Sequence, residues 1–206
     1  VVTLPETVTV RSRRPLTLRL EVPPAERAVF WRVLVPSGAL FSLFDGVALS
    51  LIPVFLVRTL GVDNYALVGA AGFLVLVSGA LSQIALPRLR PDRAIGWGLA
   101  AASVASLGVV AAAPVESVGL ALAAVAATGA AAGLVFKGGL DLCTQIAPVE
   151  DRGKLISSYY VACYLGGFSV PLLVIGALSD LMGLTAALAI LSSTAALGAA
   201  WTWAIG

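Results

Sequence analysis

Residues 33–57 read VLVPSGALFSLFDGVALSLIPVFLV, an unbroken apolar run carrying a single charge, Asp45. About 20 such residues, coiled as a helix, cross the ~30 Å hydrocarbon core of a bilayer. In lipid the backbone must satisfy its own hydrogen bonds, which leaves helices and closed barrels. The run does not alternate polar and apolar positions as a barrel strand does, so it reads as a transmembrane helix. Five further runs of the same kind follow, at 64–86, 94–113, 118–142, 156–178 and 184–204. Their connections are short: 58–63, 87–93, 114–117, 143–155 and 179–183. The predicted fold class is all-α integral membrane, a bundle of six transmembrane helices over residues 33–206.

Composition agrees. Of the 206 residues, 59% are hydrophobic and 12% charged, against about 25% charged in soluble domains. A soluble fold could not cover itself with so few charges, whereas lipid accepts an apolar exterior. The net charge of +2 suggests no nucleic-acid partner. Histidine is absent, which removes His-based metal sites, Ser-His catalysis and the usual near-neutral proton shuttle. Cys143 and Cys163 are too few for a disulfide framework or a zinc site. No Gly-rich phosphate loop ending in Gly-Lys-Ser/Thr is present, so ATP hydrolysis by this chain is not expected. The expectation is a protein that is not an enzyme and needs no cofactor. Any work it does draws on a gradient, in which each charge moved is worth about 2.3 kcal/mol per 100 mV.

Residues 1–32 form the only long polar stretch. Val rather than Met at position 1 suggests a chain that begins inside a longer one or has been trimmed, and the polar, Arg-bearing opening does not read as a signal peptide. Leu16, Leu18 and Leu20 alternate with polar residues as in a short strand or extended segment. Pro23 and Pro24 break it, with Pro24 suited to a first helical position and Glu26 to a first turn. Eleven of the 13 Lys and Arg residues lie in this stretch, in 87–93 and in 143–155. The positive-inside rule then places both termini and those two loops in the cytoplasm. Phe30, Trp31, Trp201 and Trp203 suit the inner aromatic belt. Arginine in excess over lysine, with abundant alanine, points to a high-GC bacterial source and hence to an inner (plasma) membrane.

An ionisable side chain deep in a bilayer costs about 2.5–3.5 kcal/mol even on lenient scales, so it marks a candidate site. Asp45 stands midway between Val33 and Val57, about 18 Å along the axis from each. Ser42 lies one turn away on the same face, within reach of a hydrogen bond. The carboxyl could carry a proton, hold a cationic substrate, or serve as a structural contact between helices. Lys137, about 28 Å from Val118, falls at the inner boundary, where its stem can snorkel and Asp141 can pair with it. Thr128 and Ser169 lie about 15 Å and 20 Å inside their helices, at the depth of Asp45. Either is a substrate contact or ordinary interhelical glue.

Small residues crowd the helices, among them Gly69, Gly72, Gly129, Gly133, Gly166, Gly167 and Gly176, and allow close packing. Pro36, Pro53 and Pro171 predict kinks. Gly79-Ala80-Leu81-Ser82-Gln83 at the end of the second run is echoed by Gly176-Ala177-Leu178-Ser179-Asp180 at the end of the fifth. These positions correspond in two three-helix units of opposite direction, as an inverted repeat requires.

Several stretches together resemble the C-terminal six helices of major facilitator superfamily transporters, particularly bacterial drug-efflux-like members. Leu4-Pro5-Glu6-Thr7 is similar to the Pro-Glu-Thr that closes the sixth helix in many of them. Gly79, Gln83, Arg88 and Arg90 look like the degraded copy, after the eighth helix, of the family's Gly-x-x-x-Asp loop, with Gln83 where an acid would carry the charge relay. Residues 147–153, including Arg152, resemble the loop between the tenth and eleventh helices, and residues 164–171 the small, kinked eleventh helix. The resemblance implies half of a twelve-helix fold built as a 3+3 inverted repeat. Residues 1–32 would be the cytoplasmic linker, and Gln83, Arg88, Arg90 and Arg152 would sit in cytoplasmic gating loops. The runs 33–57 and 118–142 would line the central cavity. The partners implied are the lipid bilayer, a missing N-terminal six-helix half, a small-molecule substrate and a proton. The expected function is gradient-driven, proton-coupled export of a small organic molecule. A permease subunit of an ATP-driven system, coupled through 143–155, and a non-transporting membrane scaffold are the alternatives.

Overall fold

The structure, a computed structural model, describes residues 22–205. It contains six helices long and apolar enough to cross a membrane. They are α1 (Pro24–Arg58), α2 (Tyr65–Ala85), α3 (Pro91–Ala112), α4 (Val118–Ile146), α5 (Arg152–Met182) and α6 (Leu184–Ile205). No strand occurs among the described residues. Leu4–Thr7, the alternating leucines and four of the N-terminal arginines lie outside them.

The helices outrun the apolar segments at one end of the bundle, because a helix need not stop where the bilayer does. α1 starts at Pro24, whose fixed φ suits a first helical position and whose missing N–H costs nothing there. Arg27 and Arg32 are therefore part of α1 rather than of an extended linker. α4 continues to Ile146 and stops at Ala147, which precedes Pro148 and takes an extended ψ of 135°. α3 opens on Pro91 in the same way as α1. At the opposite end, Asn64 Oδ1 accepts from the N–H groups of Ala66 (2.9 Å) and Leu67 (3.3 Å), and Ser117 Oγ from Leu120 (3.2 Å), capping α2 and α4.

Two proline-bearing helices change pitch. α1 is a π-helix over Phe30–Leu34, and Pro36 has no N–H to give Arg32 O, its α-helical acceptor. Trp201 Nε1 of α6 donates to that carbonyl at 3.0 Å instead. The altered register turns Phe30 fully inward, against Cys143, Leu155 and Tyr159, so only Trp31 of that pair faces outward as a belt residue would. α5 is a π-helix over Tyr164–Ser169, just before Pro171.

The six helices form two interlocked triplets. α2, the middle helix of the first, packs on α4, the first helix of the second. α5, the middle helix of the second, packs on α1, the first helix of the first. This reciprocal arrangement is the 3+3 inverted repeat. α3 lies between α4 and α6, tied to α6 by a reciprocal buried pair: Ser103 Oγ donates to Ser192 O at 2.8 Å and Ser192 Oγ to Ser103 O at 2.7 Å. The echoed sequence makes the same local bond in both copies, Ser82 Oγ to Gly79 O (2.8 Å) and Ser179 Oγ to Gly176 O (2.7 Å).

The α2–α4 crossing depends on glycine. A methyl group at Gly133 would collide with the carbonyl oxygen and Cα of Gly79. A Gly133→Val substitution should lower the thermal stability of the detergent-purified full-length protein by about 1–3 kcal/mol, the range for overpacking. Gly69, with no neighbour within 4 Å of an added Cβ, is the control, and Gly69→Ala should not lower the unfolding midpoint. Equal midpoints for the two variants would contradict this account of the crossing.

Candidate functional site

α1 presents Phe41, Ser42 and Asp45 along one stripe at helical spacing. α4 contributes Phe136, and α5 contributes Tyr160, Cys163, Tyr164 and Phe168. These eight residues enclose a cavity of about 150 Å³, open on one side. Two features of α5 bring its wall this close. Gly167 has no side chain to hold it off Ala39 O, Ser42 and Leu43, and the π segment carries Tyr164 and Phe168 past that contact. The rings fall into two groups. Phe41 stacks on Phe136 with centroids 4.8 Å apart, Tyr160 meets Phe136 edge-on at 5.8 Å, and Tyr164 lies 5.9 Å from Phe168.

Among the described residues, Asp45 is the only charged one on this cavity. It makes no hydrogen bond or ion pair with any described residue. Arg32 and Arg58 are each about 20 Å away along the α1 axis, so its place in the middle of the membrane-spanning part is unchanged by the longer helix. Ser42 Oγ is buried without a hydrogen-bond partner, with the Cys163 thiol beside it. Ser42 and Asp45 share the cavity but do not bond to each other.

The other residues singled out in the sequence lie elsewhere. Thr128 is buried, donates to Ala124 O at 2.9 Å and borders a separate void of about 20 Å³ among Phe44, Ser106, Val109 and Leu191. Ser169 donates to Leu165 O at 2.6 Å within its own helix. Lys137 pairs with Asp141 one turn on and does not reach Asp45. Asp141 in turn borders a polar groove of about 460 Å³ with Arg88, Arg90, Asp92 and Gln145, at the end of the bundle where α2, α3 and α4 meet. There Arg90 pairs with Asp92 at 3.1 Å, and Arg88 is exposed. Gln83 donates back to Gly79 O at 3.3 Å, and Arg152 Nε to Ala147 O at 3.3 Å, so neither bridges to a neighbouring loop.

The aromatic wall was not among the sequence candidates. Its signal was the i, i+4, i+8 spacing of Tyr160, Tyr164 and Phe168 on the fifth run, together with Phe41 one turn before Asp45. Aromatic residues are so common on lipid-facing helix surfaces that the spacing alone does not separate a cavity wall from a belt.

An apolar cavity near mid-membrane, holding one carboxyl without a partner among the described residues, is suited to binding and carrying a solute. The known-protein comparisons point the same way. No curated protein matches the chain. The family model described as Major Facilitator Superfamily matches residues 3–171, from before α1 to the proline-kinked part of α5. With six membrane-crossing helices arranged as two inverted triplets, the chain belongs to the Major Facilitator Superfamily and is a secondary transporter in general type.

Proposed function

We propose that the chain is the C-terminal half of a gradient-driven exporter that exchanges protons for a small organic molecule, with Asp45 as the coupling group. The observation that carries this reading is a mid-membrane carboxyl with no cation partner among the described residues, lining a partly open cavity. Such a group can take a proton from one side and release it to the other as access alternates, a use that repays its insertion cost. Ser42, whose buried hydroxyl lies beside the Cys163 thiol, belongs to the same lining. α2 and α5 bury the smallest shares of their surfaces, and α5 supplies half of the cavity's lining, so these faces are where the other six helices would seat. Lys137, Asp141 and the groove with Arg88 and Arg90 lie at the end that carries most of the positive charge, the cytoplasmic side on this reading.

The test is flux through proteoliposomes of the full-length protein at fixed membrane potential, with and without an imposed pH gradient. Accumulation of a labelled organic solute that follows the gradient and collapses with a protonophore is expected. Flux indifferent to the gradient would overturn proton coupling. Sidedness is tested separately by single-cysteine labelling at Asp63 and Arg90. These positions should react from opposite faces, with Arg90 reacting from the cytoplasm, and same-face labelling would overturn the topology.

A further inference from the structure

The cavity's lining specifies more than a proton site. Five aromatic rings, from Phe41, Phe136, Tyr160, Tyr164 and Phe168, line the space together with one carboxylate, and no Lys or Arg among the described residues borders it. A ring face attracts a cation through its quadrupole, by about 0.5–1 kcal/mol when exposed and 2 or more when desolvated. A neutral solute would gain from the rings but leave the carboxylate unpaired, and an anion would be repelled by it. Lys137, the nearest basic residue along α4 to Phe136, is held by Asp141 and does not supply the missing charge.

We propose that the Asp45 cavity is a binding site for a monovalent organic cation with an apolar or aromatic body, such as a quaternary ammonium compound. The inference rests on the transport reading above and names its substrate class. The cation's charge would sit at Asp45, its body against the stacked Phe41–Phe136 pair and the Tyr164–Phe168 pair. Proton and cation then compete for one carboxylate, which is a simple basis for their exchange. The other titratable groups on the cavity are Tyr160, Cys163 and Tyr164, and none is a cation.

The test uses a pair of probes of nearly one shape, phenyltrimethylammonium and its neutral isostere tert-butylbenzene, with benzenesulfonate as the anion. Labelled phenyltrimethylammonium is bound at equilibrium to the full-length protein in nanodiscs, and the other two serve as competitors. The cation should bind saturably, with neither competitor displacing it at matched concentration. Asp45→Asn should weaken binding by about tenfold or more, the equivalent of one lost charge contact. Phe136→Leu, which keeps an apolar side chain without a ring, should weaken it by about three- to thirtyfold. Asp45→Glu should retain most of the affinity, which separates loss of charge from loss of fold. Equal competition by tert-butylbenzene, or unchanged affinity in Asp45→Asn, would overturn the cation site. Gradient-driven flux of another solute by a protein that does not bind phenyltrimethylammonium overturns the substrate class alone. Absence of both binding and gradient-driven flux in the unaltered protein overturns the transport reading with it.

Discussion

An Asp45→Asn substitution in the full-length transporter should leave membrane insertion and yield unchanged and reduce gradient-driven transport to the level of protein-free vesicles. The first half of this expectation follows from what Asp45 lacks. It has no ion pair or hydrogen bond to lose among the described residues, and the amide has nearly the same shape without the cost of placing a charge in the bilayer, about 2.5–3.5 kcal/mol. The second half follows from what the amide cannot do: it carries no exchangeable charge. Asp45→Glu keeps that charge one methylene further out, so it should transport at a reduced rate with a displaced pH profile. Transport assays in proteoliposomes, normalised to inserted protein, decide between the two. Unchanged transport and unchanged pH dependence in Asp45→Asn would make the carboxyl a structural contact.

The second large effect concerns completeness. Purified and reconstituted by itself, the six-helix chain should show no solute uptake above protein-free vesicles. The Asp45 cavity is walled by α1, α4 and α5 and is only partly enclosed, so these helices alone do not seal it around a solute. Alternating access requires two bodies that rock against each other, and on the half-transporter reading these six helices provide only one. Joining the chain to the preceding six helices should restore uptake. Robust transport by a purified monomer of these 206 residues would refute the half-transporter reading.

The six spans were legible because the bilayer makes one strict demand, an apolar run of sufficient length, and the sequence meets it six times. The helix ends at the charged side were less legible. The start of α1 was signalled by Pro24 itself, but residues 143–146 are helical although they are not part of an apolar run, since hydropathy records the membrane and not the hydrogen-bond ladder. Asp45 was legible for the same reason that the spans were: a charge stands out against them. The rings around it did not stand out, because Phe136 and Tyr160 come from helices distant in sequence and their meeting depends on the close approach of α5 at Gly167. Thr128 shows the limit of depth as a guide. It lies at the predicted level along α4, but it points into packed helices where its hydroxyl bonds Ala124 O. Depth is set by position along a helix, whereas access to a cavity is set by rotation about it. The sequence registers the first directly and the second only through packing.

Infrared difference spectroscopy of the reconstituted full-length protein tests the role of Asp45 most directly, since it needs no knowledge of the substrate. Lowering the pH should produce the carbonyl-stretch band of a protonated carboxylic acid that is shielded from water. That band should vanish in Asp45→Asn and return, shifted, in Asp45→Glu. A difference spectrum with the same carboxyl bands in the unaltered protein and in Asp45→Asn would mean that Asp45 carries no proton, and would contradict proton coupling at this site.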